Sequence, residues 1–178
     1  ENGGRNWTPV PTEKPQRWTC GDFLAPGVGA LAGENATLAT VRQRSIVSST
    51  SPNAGLRGLA ALELDRNGRG WLVGEGGLVF HTEDLGQSWQ LPTAELPEAV
   101  RSGFDWSAVA QHGSHVWIVG SPGSRVLHSA DGGQSWTAQI TGQTLPLHEV
   151  MFVDAQHGTT LGALGTMLST SDGGETWR

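Results

Sequence analysis

One eight-residue phrase recurs along this chain at near-constant spacing. It reads Thr82-Glu83-Asp84-Leu85-Gly86-Gln87-Ser88-Trp89, then Ser129-Ala130-Asp131-Gly132-Gly133-Gln134-Ser135-Trp136, then Thr170-Ser171-Asp172-Gly173-Gly174-Glu175-Thr176-Trp177. All three fit Ser/Thr-x-Asp-x-Gly-x-Ser/Thr-Trp. Asp84 and Asp131 are 47 residues apart, and Asp131 and Asp172 are 41 apart. A worn copy, Asn2-Gly3-Gly4-Arg5-Asn6-Trp7, opens the chain with Asn in place of Asp. Asn2 precedes Asp84 by 82 residues, two periods of 41. A period of roughly 40–50 residues with strand-and-turn texture predicts an all-β propeller of four-stranded antiparallel blades, one repeat per blade.

The copy missing between Asn2 and Asp84 is partly recoverable. The stretch Gly29-Ala30-Leu31-Ala32-Gly33-Glu34-Asn35-Ala36-Thr37-Leu38-Ala39-Thr40 has the texture of Gly158–Thr170, which leads into the last copy. Arg42 then stands where Asp belongs, and no Trp follows, so this blade's signature turn has decayed. The chain reads as a single propeller segment over 1–178. Its blade units are approximately 17–50, 57–91, 104–138 and 147–178, with 1–10 the tail of a preceding blade. The sequence starts inside one repeat turn and stops at the Trp of another. About four blades therefore read as part of a larger ring, seven-bladed for choice, completed by further blades or by a second chain.

Within each unit the strands are short. Leu59–Leu64 is an apolar inner strand, and Arg66-Asn67-Gly68-Arg69 carries the Asn-Gly hairpin signal. Gly70–Gly74 is a second strand and Leu78–Thr82 a third, with an outer strand expected from Trp89. Ser107–Ala110, His115–Gly120 and Arg125–Ser129 repeat the scheme. No segment has helical periodicity, so almost no helix is expected. The 26 Gly and 9 Pro suit a chain of tight turns. No apolar run is long enough for a membrane-spanning helix. The single cysteine, Cys20, excludes an internal disulfide. The net charge of −6 argues against general nucleic-acid binding. Ten of the eleven cations are Arg, and Lys14 is the lone Lys.

The repeated phrase invites a catalytic reading, but its chemistry is that of a turn. A short Asp side chain accepts backbone N–H groups a few residues on. The following Gly takes a left-handed conformation, and the Trp caps the hairpin with an apolar plate. A catalytic group is needed once, whereas this one occurs in three blades. Asp84, Gly86, Trp89, Asp131, Gly133, Trp136, Asp172, Gly174 and Trp177 are accordingly expected to be structural. Calcium is not indicated, because each turn offers too few carboxylates for an oxygen cage.

The phrase resembles the Asp-box, or bacterial neuraminidase repeat. That repeat occurs in sialidases, some polysaccharide hydrolases, sortilin-type receptors and photosystem II stability/assembly factor-like proteins. Together with Gly70–Gly77 and Val150–Asp154, the pattern is most similar to the last family, over about 57–178. The resemblance implies a seven-bladed propeller acting as a non-catalytic assembly factor, bacterial and extracytoplasmic (periplasmic or secreted), with a protein partner and no cofactor or metal. An extracellular receptor or adhesin domain is one alternative. A glycoside-hydrolase propeller that takes carbohydrate is another. The sialidase version requires a Tyr nucleophile, and this chain has no Tyr. The polysaccharide-hydrolase version requires two carboxylates, for which Asp22 and Asp105 are the candidates.

The histidines offer little. His81 and His128 occupy equivalent blade positions and are expected far apart around the ring. His112 and His115 flank a hairpin but lack a third metal ligand. More informative is the rim at the entry to the inner strands, which carries Arg17, Arg57, Arg101, Asp105 and His148. Arginine grips carboxylates in a two-pronged geometry and is enriched at protein interfaces. Arg17, Arg57, Arg101 and His148 are the partner-binding candidates, with Arg66 and Arg69 assigned to the opposite face.

Overall fold

The computed structural model describes residues 4–10, 16–43, 45–101 and 103–178. Asn2 and Gly3 of the opening half-repeat, and Lys14, lie outside the described residues. Among the described residues fourteen strands form four antiparallel sheets in chain order. Blade 1 holds β1 (Trp18–Ala25), β2 (Val28–Gly33), β3 (Leu38–Arg42) and β4 (Ser45–Ser48). Blade 2 holds β5 (Leu59–Leu64), β6 (Gly70–Gly74) and β7 (Val79–Thr82). Blade 3 holds β8 (Asp105–His112), β9 (His115–Ser121), β10 (Arg125–Ser129) and β11 (Thr137–Ile140). Blade 4 holds β12 (Leu147–Phe152), β13 (Gly158–Gly162) and β14 (Met167–Thr170). The blades pack in sequence through their inner strands, β1 on β5, β5 on β8 and β8 on β12, and the ring is not closed.

Among the described residues helix is confined to α1 (Glu98–Arg101) and two 3-10 turns, Glu34–Ala36 and Ala163–Gly165. Those two turns are the same device. Gly33 N–H donates to Thr37 O at 2.9 Å, and Gly162 N–H donates to Thr166 O at 2.8 Å. Asn35 and Leu164 take left-handed φ values of 55° and 54° at equivalent places. The likeness of residues 29–40 to 158–170 is therefore structural. Arg42 ends β3 and pairs with Ser45, so a tight hairpin replaces the signature turn in blade 1.

The outer strand expected from Trp89 is a correction. In blade 2 it shrinks to one rung, with Gln90 and His81 exchanging both backbone hydrogen bonds at 2.9 and 2.8 Å. Pro92 follows two residues on and has no N–H to continue the ladder. In blade 4 the corresponding rung joins Arg178 to Ser169.

The core is three seams between neighbouring blades. Leu62, Leu64, Leu72 and Phe80 face blade 1, meeting Ala30, Ala32 and Leu38. Their alternates Trp71, Val73 and Val79 face blade 3, meeting Trp106, Val109, Ile118 and Trp136. Ala108, Ala110, Trp117 and Val119 then face blade 4, meeting Val150, Phe152, Leu168 and Trp177. Period-2 alternation thus buries both faces of blades 2 and 3. That is why β6 reads as an unbroken apolar run. Blade 4 has one covered face only. On the other, Met151, Val153, Leu161 and Met167 are 63%, 69%, 46% and 65% exposed.

Each seam is keyed by the turn glycine. A Cβ on Gly133 would overlap the Trp71 ring of the preceding blade. A Cβ on Gly86 would lie 2.7 Å from Ala30 Cβ. Gly132, one residue earlier, has open space around it, although it shares the left-handed backbone with φ 71° against 85°. Gly132→Ala is expected to cost about 1–2 kcal/mol from backbone handedness alone. Gly133→Ala is expected to cost about 1–3 kcal/mol more, because Trp71 must be displaced. Urea unfolding of both variants checks the difference, and equal losses would mean the glycine does not key the seam.

Candidate functional site

The three signature turns are built alike. Thr82 Oγ1 donates to Asp84 Oδ1 at 2.9 Å and accepts Gly86 N–H at 3.0 Å. Asp84 then accepts Ser88 N–H at 2.9 Å and the Ser88 hydroxyl at 2.6 Å. Ser129, Asp131, Gly133 and Ser135 repeat these bonds at 2.6–2.8 Å. Thr170, Asp172, Gly174 and Thr176 do so at 2.6–2.9 Å. Trp89, Trp136 and Trp177 are buried at the seams. Every Asp oxygen has a donor within its own turn. The Ser135 and Thr176 hydrogen bonds hold the Asp131 and Asp172 carboxyls down at about 2. Asp84 is also lowered, its Ser88 and Thr82 bonds outweighing partial burial.

The two candidate catalytic carboxylates do not meet. Asp22, on β1, accepts Leu64 N–H at 2.8 Å and Phe23 N–H at 2.8 Å. Leu64 ends inner strand β5. Asp105 begins inner strand β8 and accepts Gly76 N–H, 2.8 Å away, in the β6–β7 turn. Each thus ties neighbouring blades, at opposite ends of the strands. The carboxylate close to Asp22 is Glu63, which no motif in the sequence singled out. Burial first, and the Asp22 charge second, push Glu63 up to about 7. Burial likewise pushes the Cys20 thiol up to about 11, an unreactive setting.

At the rim the structure brings two of the predicted arginines together. Arg57 precedes β5 and Arg101 ends α1 just before β8. Both line one groove of about 410 Å³, with Pro52, Leu78, Phe80, Leu91, Pro92 and Leu96 among its other walls. Arg57 lies over the β6–β7 turn, where a Cβ on Gly76 would be 3.4 Å from its Nε. Arg101 is held by Glu95 at 2.8 Å and by the Leu96 carbonyl at 3.1 Å. Arg17 sits apart, paired with Glu34 at 2.9 Å at the entry to blade 1. His148 is exposed on β12. Arg66 and Arg69 occupy the β5–β6 hairpin at the far end of the strands, where Arg69 pairs with Asp65 at 2.9 Å. Sequence periodicity did not reveal the groove wall at 91–101, because that insertion lies outside the repeat.

One histidine contact had no signal in the sequence. His115 faces His112 across the β8–β9 register, and its ring also meets His128, with Nδ1 and Nε2 3.2 Å apart. The register explains it: β9 and β10 set Trp117 opposite His128, which puts His115 on the same face. Among the described residues no group of three metal-ligating side chains gathers. No helix among them is long and apolar enough to cross a membrane.

Residues 57–148 match the sequence profile of the photosynthesis system II assembly factor YCF48. The chain belongs to that family. It is 33% identical over 113 residues to the photosystem II assembly lipoprotein Ycf48 of Synechococcus sp. (strain CC9902), covering 61% of this chain and 32% of that one. It is 31% identical over 178 residues to the Ycf48 of Synechococcus sp. (strain JA-3-3Ab), covering 94% of this chain and 51% of that one. It also resembles the structure of YCF48 bound to D1 peptide, with a TM-score of 0.61 and 28% identity, over 68% of this chain and 40% of that one. The chain thus spans 32% to 51% of the length of these relatives. The family match covers blades 2 and 3, with Arg57, Arg101 and most of the groove lining, and it stops at His148.

Asp84→Ala in this YCF48-family chain is expected to lose about 1–3 kcal/mol by orphaning the Ser88 N–H and the Ser88 and Thr82 hydroxyls. The acid dependence follows the same bonds. Folded values near 2 lie below the ordinary aspartate value of about 3.9. The turns therefore contribute stability above about pH 4 that is lost as pH falls through about 2. Asp131→Asn should flatten the acid limb of a stability-against-pH curve, and an unchanged limb would refute the assignment.

Proposed function

We propose that this chain is a non-catalytic propeller scaffold that binds a protein partner during photosystem II assembly. Family membership supports the assembly role. The observation that carries the reading is the Arg57–Arg101 groove, where the Arg57 guanidinium and the Glu95-paired Arg101 guanidinium stand beside an apolar wall. Such a lining fits an extended peptide that offers carboxylates to the arginines and apolar side chains to Leu78, Phe80 and Leu96. The likeness to YCF48 bound to D1 peptide makes a D1 peptide the first partner to test. The carboxylates near the inner strands support scaffold over hydrolase, since Asp22 and Asp105 act as separate backbone clamps. The exposed apolar face of blade 4, with Met151, Val153, Leu161 and Met167, is where further blades, or a second chain, would complete the ring.

The test is charge reversal on two faces. Arg57→Glu with Arg101→Glu is expected to weaken a labelled D1 peptide at least about tenfold, the loss shrinking as salt rises. Arg66→Glu with Arg69→Glu, on the opposite face, is expected to change affinity less than about twofold. Fluorescence anisotropy at two ionic strengths reads both. Equal effects from the two pairs would displace the binding face from this groove.

A further inference from the structure

Gln139, His128 and His115 form one directed chain at the seam between blades 3 and 4. Gln139 Nε2 lies 3.3 Å from the Gly173 carbonyl oxygen of blade 4 and 3.3 Å from His128 Nδ1. His128 Nε2 lies 3.2 Å from His115 Nδ1. A carbonyl only accepts, so the Gln139 atom facing Gly173 is the amide nitrogen. Its second hydrogen points to His128 Nδ1, which must therefore accept. His128 carries its proton on Nε2 and donates to His115 Nδ1. One backbone carbonyl in blade 4 thus sets the tautomers of two histidines in blade 3.

The chain is built into the packing. Trp117 stacks on His128 at 5.1 Å and 14°, and its ring lies on Phe152 of blade 4 at 6°. Trp117 Nε1 donates to the same Gly173 oxygen at 2.8 Å. Gln139 Oε1 is buried without a hydrogen-bond partner, and a Cβ on Gly174 would overlap it. The amide has no better orientation. Turned over, it would set Oε1 against the Gly173 oxygen, two acceptors 3.3 Å apart.

We propose that this seam is a proton-operated joint: a proton taken up at His128 Nδ1 opposes the fixed Gln139 N–H and loosens blade 4 from blade 3. The step is simple protonation of a ring nitrogen lone pair, with the proton drawn from solvent. Placing the proton on His115 Nδ1 instead gives no relief, because it would then face the His128 N–H. The charged groups around the pair are few. Asp131, in the turn of the same blade, favours a charge on His128. Asp172 and Glu175, from the turn of blade 4, line the same cleft of about 590 Å³. Burial, then His115, nevertheless hold His128 down at about 4 against the Asp131 charge. That value lies below the ordinary histidine value of about 6.5. The joint therefore contributes stability above about pH 6.5 that is lost as pH falls toward about 4. The signature-turn carboxylates respond only below that range. Glu63, in the first seam, acts in the opposite sense. Its raised value gives stability that is present below about pH 4 and lost as pH rises through about 7.

The test compares the whole chain with His128→Gln, so that the Glu63 contribution cancels. The ratio of their folding constants is expected to fall at least about tenfold between pH 7 and pH 4, allowing for solvent screening of a half-buried group. Nitrogen NMR of the unaltered chain should show His128 neutral at pH 6 with its proton on Nε2. The Trp117 indole N–H should lose protection as His128 titrates. Gln139→Glu replaces the opposing donor with an acceptor and should raise the His128 titration point by at least about one unit, which moves it tenfold in proton concentration. A His128 that titrates at about 6.5, carries its proton on Nδ1, or can be replaced by Gln without changing the pH dependence would overturn the joint.

Discussion

The contact on which the structure depends is a large or small second-strand side chain seated against a glycine in the next blade's turn. Gly133 receives Trp71, and Gly86 receives Ala30. In the third seam the same relation becomes a hydrogen bond, from Trp117 Nε1 to the Gly173 carbonyl. A Cβ at the key position of the second seam would collide with the preceding blade, so glycine is required there for space as well as for handedness. The aspartate beneath it fixes the turn so that the glycine is presented at a constant place. Local hydrogen bonding and long-range packing are therefore one device. The repeat is kept in step because each blade's turn completes its neighbour's core.

This division explains what was legible in the sequence. The turns were readable because their bonds lie within eight residues, from Thr82 to Trp89. The strands of blades 2 to 4 followed from their spacing to those turns. Blade 1 was readable only by likeness, and its Gly33 and Gly162 turns show why: the chain kept the 3-10 turn and lost the signature turn. The shortened outer edge of blade 2 was written at Pro92 but overridden in the reading by the repeat. The site was harder. Arg57 and Arg101 lie 44 residues apart in sequence. They line one groove because one precedes β5 and the other β8, and because residues 91–101 wall the same groove as Leu78, Val79 and Phe80. Glu63 was invisible, since only the packing of blade 1 against blade 2 brings Asp22 to it.

Charge is sorted by the same architecture. Asp22, Asp65, Asp84, Asp105, Asp131, Asp154 and Asp172 all accept backbone N–H groups. These carboxylates hold turns and join strands, so the acidic total of the chain says little about its binding chemistry. The arginines are at the ends of the strands, where propeller blades expose their connections. An acidic chain can therefore present a groove with two arginines beside blade 2 and its 91–101 insertion, and the net charge of −6 does not oppose an acidic peptide there.

A repeated scaffold also lets one seam acquire a property that its neighbours lack. The second and third seams share a Trp at the same strand position and a His on the following strand. In the second seam Trp71 meets His81 at a tilt of 41°, and two residues before Trp71 stands Arg69, bound to Asp65. In the third seam the residue two before Trp117 is His115, which is free to face His128. One substitution in register thus changes an isolated ring into a hydrogen-bonded pair. Gln139 on β11 then ties that pair to blade 4, and blade 2 has no β11 equivalent beyond its single rung at Gln90. The outer strand that the insertion at 91–101 removes from blade 2 is thus the strand that supplies the polar contact in blade 3. The Arg57–Arg101 groove and the proton-sensitive seam lie at different places because each needs a different treatment of that fourth strand.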